Sequence, residues 1–520
     1  MTAPSARSTW TWPAFAPALV TIVLGGVFLT RSSIWTDEAA TWATARMSLS
    51  SIFSYTLHTR DAVLLPYYLF MHVWLGASQQ LWWMRLPSLI AAAAATWALT
   101  RLARRWLEPT WAILAGILVA VNPLYVRWSI EARPYAIATL FAVLSTAALA
   151  TAVERGGWRN WTAYGALGLC LALFHLFGIL VLIAQAVTIV VAKRRSAWLG
   201  QAVGLAAVIV LIGPLAVAAA RQTAQVSWIP RPGPATFFTA LTDVSGGHTL
   251  AIGLVASCAV VLVAAFRSPA RNIERLPAIL SVTWALLPPV VLVAASFVHP
   301  VYVDRYVLVS VPAVALTEAA AGAYVWRWLV GRERIPVQAF PTPRPGPKPA
   351  PGPASGTAGW SSRSPGAVAL VVVMVLVPLW LARTSFEAVR QPYFYDDYRT
   401  AAAVLDRDLD GSGAAILVVK AEAGQGFAFY ARSGRLRREL LHPVATSLPR
   451  IVHRQSSIPA GPGTVGIIWS RDPAPRFGCP GVVAIGWHPI SHPSFEFDGS
   501  TCRLSDVRHF GLVWVGRGAS

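Results

Sequence analysis

The stretch "SSIWTDEAATWATARMSLSS" (residues 32–51) is separated by Arg31 alone from the first long apolar run, "FAPALVTIVLGGVFLT" (15–30). An acidic pair, Asp37-Glu38, therefore stands where a chain would leave a hydrocarbon layer, at the head of a segment with amphipathic spacing. Three chemistries suit a pair so placed: a solvated loop, a cation site, or the base of an enzyme working at a membrane surface. The topology of the whole chain decides among them.

The chain has 520 residues, of which 55% are hydrophobic and 13% charged, with a mean hydropathy of +0.53. A soluble chain carries about twice that charged fraction. Apolar runs long enough to cross about 30 Å of hydrocarbon recur at 14–30, 81–100, 110–126, 134–152, 160–174, 176–192, 197–217, 247–266, 277–297, 306–329 and 366–383. The expected fold class is an α-helical polytopic membrane protein of about eleven spans. The first run lacks a clear small-residue cleavage site and reads as a retained span.

A net charge of +20 raises the question of nucleic acid, but its distribution points elsewhere. With the N-terminus cytoplasmic, the basic segments "RLARRW", "ERGGWRN", "KRR", "RSPARNIER" and "WRWLVGRER" all fall on the cytoplasmic side. The opposite loops hold Asp37, Glu38, Asp61, Glu131, Asp243 and Asp304. That asymmetry is the positive-inside pattern, so the basic balance reports topology and anionic lipid, not a nucleic-acid partner.

One apolar segment resists the scheme. "AVLLPYYLFMHVWLGAS" (62–78) is barely long enough to cross, and a crossing there would invert every later loop. It reads as an interfacial helix, and with 38–57 it makes the first external loop two helices lying on the membrane. Residues 1–330 form the transmembrane domain, and the Pro/Gly-rich 331–365 is a cytoplasmic linker to a last span at 366–383. The remainder, 384–520, reads as a small extracytoplasmic α/β domain. In it "YRTAAAVLDRDL" has a helical pattern, and "AAILVVK", "TVGIIWS" and "GVVAIGW" are strand-like. Cys479 and Cys502 both lie there, where an oxidising compartment allows a disulfide.

The external loops gather the groups that can do chemistry. They are Asp37 and Glu38, then Asp61 in "HTRDAVLLPYY", Glu131 and Arg133 in "NPLYVRWSIEARPY", His175, Asp243, His248, and Arg305 in "HPVYVDRY". Acids at such a face can accept a proton or hold a metal, and arginines can grip a phosphate bidentately. Each also has a plainer reading. Asp37 and Asp61 can cap helices, Glu131 and Arg133 can pair with neighbours, and Arg305 can be a snorkelling anchor. Glu38 suits a structural pairing or a cation as well as it suits catalysis. Glu318, within the tenth span, reads as the partner of a cytoplasmic-side arginine.

Four pieces in order, "WTDEA", "DAVLLPYYLFMHVWLGASQQLWWMRLPSLIA", "WSIEARPYAIATL" and "YVDRYVLVSVPAVAL", resemble polytopic glycosyltransferases of the GT-C superfold over about residues 10–330. The likeness is to the family 39-like and RgtA/B/C/D-like branch, related to protein O-mannosyltransferases and aminoarabinose transferases. One departure is that many relatives have a His-Pro-Pro motif where this chain has "AVLLPYY". The resemblance implies transfer of a hexosyl or pentosyl group, mannose by analogy, from a polyprenyl-phosphate sugar to a glycan, lipid or protein acceptor outside the plasma membrane. It implies Asp37 as general base; the departing phosphate then needs cationic stabilisation, for which Arg133 and Arg305 are the candidates, while Glu38, Asp61 and Glu131 are candidates for support or for binding acceptor or cation, with use of a divalent cation left open. Two rival readings are a transporter or flippase of lipid-linked substrates and a non-catalytic envelope-assembly scaffold. A transporter predicts related halves and broken helices at the midplane. A scaffold predicts tolerance to loss of Asp37.

Overall fold

A computed structural model describes residues 11–226, 228–267, 272–329, 396–409, 415–419, 421–431, 482–487, 494–497, 500–510 and 513–519, with scattered residues between 372 and 387. Helices occupy every apolar run up to residue 329. They are α1 (Thr11–Phe28), α5 (Leu81–Ala103), α6 (Pro109–Ala120), α8 (Tyr135–Arg155), α9 (Trp158–Phe174) and α10 (Ile179–Val191). After these come α11 (Arg195–Ala220), the short α12 (Thr236–Ser245), α13 (His248–Arg267), α14 (Asn272–Ser296) and α15 (Val311–Leu329). Among the described residues six helices are long and apolar enough to cross a membrane, and a seventh span results if one bent pair is counted. This is a multi-pass membrane protein. The bundle is tightly closed near its start: a Cβ on Gly116 of α6 would collide with Pro17 of α1 and Thr100 of α5.

The bent pair corrects the expected span at 110–126. Helix α6 stops at Ala120, and α7 (Pro123–Ser129) leaves at 62° to it. Pro123 brings no N–H to continue the ladder, and the Asn122 side chain accepts from Tyr125 N at 3.1 Å to start a new helix. The bend delivers residues 127–135 to the end of the bundle that carries Asp37.

The first loop is also more divided than expected. Instead of one helix over 38–57 there are two, α2 (Thr36–Ala45) and α3 (Leu49–His58). Ser48 separates them by accepting from Ser51 N at 3.3 Å, an N-cap within the polar run of serines. Helix α4 (Leu65–Leu75), with its lead-in from Ala62, is among the shorter apolar helices, as an interfacial segment requires. Helix α3 leaves Leu49, Phe53 and Leu57 exposed on one side.

Two prolines fix the surroundings of the site by freeing carbonyls. Pro87 in α5 cannot donate to Trp83 O, and that oxygen accepts instead from Trp74 Nε1 at 2.8 Å. Trp83 Nε1 returns a bond to Trp74 O at 3.0 Å, with the rings stacked at 4.4 Å, which locks α4 to α5. Pro288 in α14 likewise frees Trp284 O, which accepts from Ser310 Oγ at 3.2 Å, while Trp284 Nε1 donates to Val309 O at 2.8 Å. That second lock holds the 3-10 turn Asp304–Ser310, the segment that carries Arg305.

The tail is α/β as expected. Helix α16 (Tyr398–Leu409), strand β1 (Ala415–Val419), α17 (Ala421–Tyr430), β2 (Val482–Trp487), β3 (Ser494–Phe497), β4 (Ser500–Phe510) and β5 (Val513–Ala519) follow in order. The sheet runs β1-β2-β5-β4-β3, with β1 parallel to β2 and the other pairs antiparallel. The strand expected in "TVGIIWS", the linker 331–365, most of the span at 366–383 and the Cys479–Cys502 disulfide lie outside the described residues.

Candidate active site

Helix α2 opens with Asp37 and Glu38 in its first turn, where the helix dipole favours negative charge. Successive helical residues are rotated by about 100°, so the two carboxylates face different surroundings. Glu38 turns inward and is fully buried against an equally buried Arg85 of α5, with Arg85 Nε to Oε1 at 2.8 Å and Nη2 to Oε2 at 2.6 Å. The remaining donors of Arg85 go to Leu29 O at 2.8 Å, Ser32 O at 3.2 Å, Ser32 Oγ at 3.1 Å and Ser33 O at 3.1 Å. Glu38 Oε1 also accepts from Ala132 N at 2.8 Å. One buried ion pair thus ties the exit of α1, the start of α2, α5 and the 131–133 loop together. Of the readings open to Glu38, the structural pairing is the one its contacts describe. Arg85 was missed as a site residue because an arginine at the start of an apolar run reads as an interface anchor.

Asp37 keeps 30% of its side chain exposed. Two arginines from distant elements converge on its Oδ2: Arg133 Nη2 at 3.6 Å and Arg305 Nη2 at 3.7 Å. Arg133 is anchored besides by Nη1 bonds to Asp37 O at 3.2 Å and Thr41 Oγ1 at 3.3 Å. Arg305 is buried among Trp35, Trp128, Trp228 and Tyr306, with its guanidinium carbon 5.4–5.8 Å from each ring centre. It is not the snorkelling anchor that its position at a span end allowed. The ion pairs are longer than the 2.7–2.9 Å of a direct charge-assisted hydrogen bond. Among the described residues the Nε atoms of both arginines are buried without a partner, so each fork has donors to offer an anion.

The other candidates fall around this centre. Asp61 sits in the left-handed region at φ 67° and accepts from Tyr68 Oη at 3.1 Å. Burial raises its carboxyl above the usual range, against the nearby Arg133 and Arg60. Glu131 is fully buried, with Arg127 Nε 3.8 Å from its Oε1, and among the described residues neither oxygen has a hydrogen-bond partner. Burial pushes it up to about 8 despite Arg127. His175 is buried between Tyr135, Phe177 and Tyr306, with Nε2 3.1 Å from Tyr306 O, and burial lowers it to about 4. Asp243 accepts from Tyr302 Oη at 2.5 Å, and burial raises it to about 6. His248 stacks on Phe238 at 5.7 Å, away from Asp37's pair. Glu318 departs from expectation: it lines a small cavity with Asn122, Pro123 and Ser245 beneath the bend, and among the described residues no arginine pairs with it. Among the described residues no three His, Cys, Asp or Glu side chains are placed to hold a metal ion.

The architecture has known counterparts. ArnT from Cupriavidus metallidurans, solved bound to undecaprenyl phosphate, superposes with a TM-score of 0.51 at 12% identity, covering 99% of both chains. The transmembrane domain has the GT-C fold. The oligosaccharyltransferase of Archaeoglobus fulgidus, solved tethered to an acceptor peptide, shares this fold with a TM-score of 0.51 at 12% identity, over 82% of the present chain. The match spans 63% of that longer enzyme. The family model described as dolichyl-phosphate-mannose-protein mannosyltransferase matches residues 75–218. That part of the GT-C fold contains Arg85, Glu131 and Arg133, while Asp37 and Arg305 lie outside it. A comparison with curated proteins gives no match.

Proposed function

We propose that the chain is a glycosyltransferase that moves a sugar from a polyprenyl-phosphate donor to an acceptor hydroxyl on the extracytoplasmic face of the plasma membrane. The observation that carries this reading is the convergence of buried Arg133 and Arg305 on the half-exposed carboxylate of Asp37. In the reaction, Asp37 takes the proton of the acceptor hydroxyl as its oxygen attacks the anomeric carbon. The bond from that carbon to the phosphate oxygen breaks, with inversion, and polyprenyl phosphate departs as an anion. A leaving group already stable as an anion needs no general acid. It needs cationic stabilisation, which the unused donors of Arg133 and Arg305 supply.

The long ion pairs suit this exchange of partners. An arriving phosphate competes with Asp37 for the two guanidinium groups, and a carboxylate released from them is free to accept the proton. The GT-C fold, shared with an ArnT solved with undecaprenyl phosphate bound, supports a lipid-linked donor. The exposed apolar side of α3 supports an entry for the lipid tail along the first loop. The orientation follows the charge asymmetry of the loops, with the N-terminus cytoplasmic and residues 384–520 outside.

The test is the affinity of the purified protein for undecaprenyl phosphate. Arg133→Ala and Arg305→Ala are each expected to weaken it about tenfold or more, with Lys restoring only part because a point charge cannot reproduce the fork. Asp37→Asn is expected to bind at least as tightly as the parent. Unchanged affinity in both alanine variants would remove the phosphate role.

A further inference from the structure

The start of α2 lacks a cap of its own. Trp35 precedes it in an extended conformation and has no side-chain oxygen with which to accept an N–H. The cap arrives from the tail. Asp396, fully buried, accepts on one oxygen from Thr36 N at 3.0 Å and from Thr36 Oγ1 at 2.6 Å. The surrounding bonds come from the tail as well. Tyr430 Oη accepts from Ile34 N at 3.0 Å, Arg399 N donates to Ser33 Oγ at 3.1 Å, and Arg399 Nη2 donates to Thr30 O at 3.1 Å. Phe429 packs edge-on against Trp42 at 5.3 Å, on the helix itself.

We infer that Asp396 is a positioning residue: it caps α2 in trans and thereby aims Asp37, which makes the tail part of the catalytic unit. This rests on the assignment of Asp37 as the base. Thr36, whose amide and hydroxyl Asp396 holds, is bonded directly to Asp37. The first turn of a helix has unsatisfied N–H groups and frays when they find no acceptor. A carboxylate at that end also complements the helix dipole. The carboxylate of Asp37 meets Arg133 and Arg305 only while that first turn is in register, and displacement of a reacting group by about 1 Å is enough to cost about a hundredfold in rate. The bonds at Ser33, Ile34 and Thr36 lie on the same strap of chain that Arg85 grips at Leu29, Ser32 and Ser33 from the other side. Arg85 fixes the strap to the bundle, and Asp396 fixes the helix that follows it.

The experiment uses the full chain in lipid nanodiscs, with Asp396→Ala, Asp396→Asn and Thr36→Val. Amide hydrogen exchange of residues 34–38 is compared with that of α5. Sugar transfer is measured with polyprenyl-phosphate sugars extracted from the host membrane. Asp396→Ala should speed exchange at 34–38 about fivefold to tenfold while α5 is unchanged. It should lower kcat about tenfold to a hundredfold with the KM for the extracted donor nearly constant. Asp396→Asn, which keeps an accepting oxygen, should recover most of both. Thr36→Val, which keeps the amide bond, should show a smaller shift of the same kind and serves if the alanine variant is poorly made. Added to Asp37→Asn, Asp396→Ala should cost nothing further. Unchanged exchange at 34–38, or a loss that multiplies with that of Asp37→Asn, would overturn the inference. Full transfer by Asp37→Asn alone would sink the base assignment, while the exchange data would still decide whether Asp396 caps α2.

Discussion

A rotation of about 100° along one helix separates the surroundings of Asp37 and Glu38, and it separates their chemistry too. Asp37→Asn keeps the volume and removes the proton acceptor, so transfer should fall about a hundredfold or more. Asp37→Glu should also lose most activity, because the added methylene moves the carboxylate off the meeting point of Arg133 and Arg305. Both effects are read as kcat at matched protein abundance. Glu131 makes a separate prediction about stability. Its folded value is about 8 against 4.5 for the free side chain, so between those values the folded state keeps a proton that the unfolded chain has lost. Stability contributed through Glu131 therefore falls as pH rises from 4.5 to about 8. The groups that bear on it are Arg127, Glu38, Arg85 and Arg305. Glu131→Gln should flatten that decline and raise Tm by a few degrees at pH 8–9, as thermal unfolding between pH 5 and 9 would show. No difference between the two profiles would place the proton elsewhere. The position of Asp37 was legible because an acid pair at a span exit is conspicuous. Its geometry was not, since nothing in a sequence says which of two adjacent acids turns inward.

At the scale of elements, the Glu38–Arg85 pair joins four segments, and removing one partner leaves the other charged and buried. Glu38→Ala and Arg85→Ala should each destabilise by about 3–5 kcal/mol, visible as lost abundance and lowered Tm. Added divalent cation should not restore Glu38→Gln, because its oxygens are already occupied by Arg85 and Ala132 N. Recovery of that variant by a metal would contradict the clamp. The break between α6 and α7 carried a readable signal, the Asn-Pro dipeptide at 122–123, but continuous hydropathy over 110–126 outweighed it. The locks at Trp74–Trp83 and Trp284–Ser310 were not readable. Pro87 and Pro288 announce that a carbonyl is freed, and only the fold reveals what accepts it. The short helix within 62–78 was legible from the loop charges more than from its length, because a crossing there would have inverted every later loop.

For the whole molecule, the tail and the first loop must lie on one side of the membrane, since Asp396, Arg399 and Tyr430 bond to residues 30–36. A membrane-impermeant maleimide added to intact cells should label Ala403→Cys, exposed on α16 of the tail, and spare Gly346→Cys in the linker, each in a background without the native cysteines. Labelling of the linker would overturn the proposed orientation. The bundle and the α/β character of the tail were legible from hydropathy and punctuation. The docking of the tail was not, because Asp396 and Thr36 are 360 residues apart and neither has a local pattern that names the other. If Asp37 drives sugar transfer from a lipid-linked donor, its loss leaves a trace in both donor and product. The most direct test is mass analysis of polyprenyl-phosphate sugars and envelope glycans in cells making equal amounts of the parent protein or Asp37→Asn. The variant should accumulate one polyprenyl-phosphate sugar and leave one glycan, glycolipid or glycoprotein short of the matching residue. Identical lipid and glycan profiles in the two strains would contradict it.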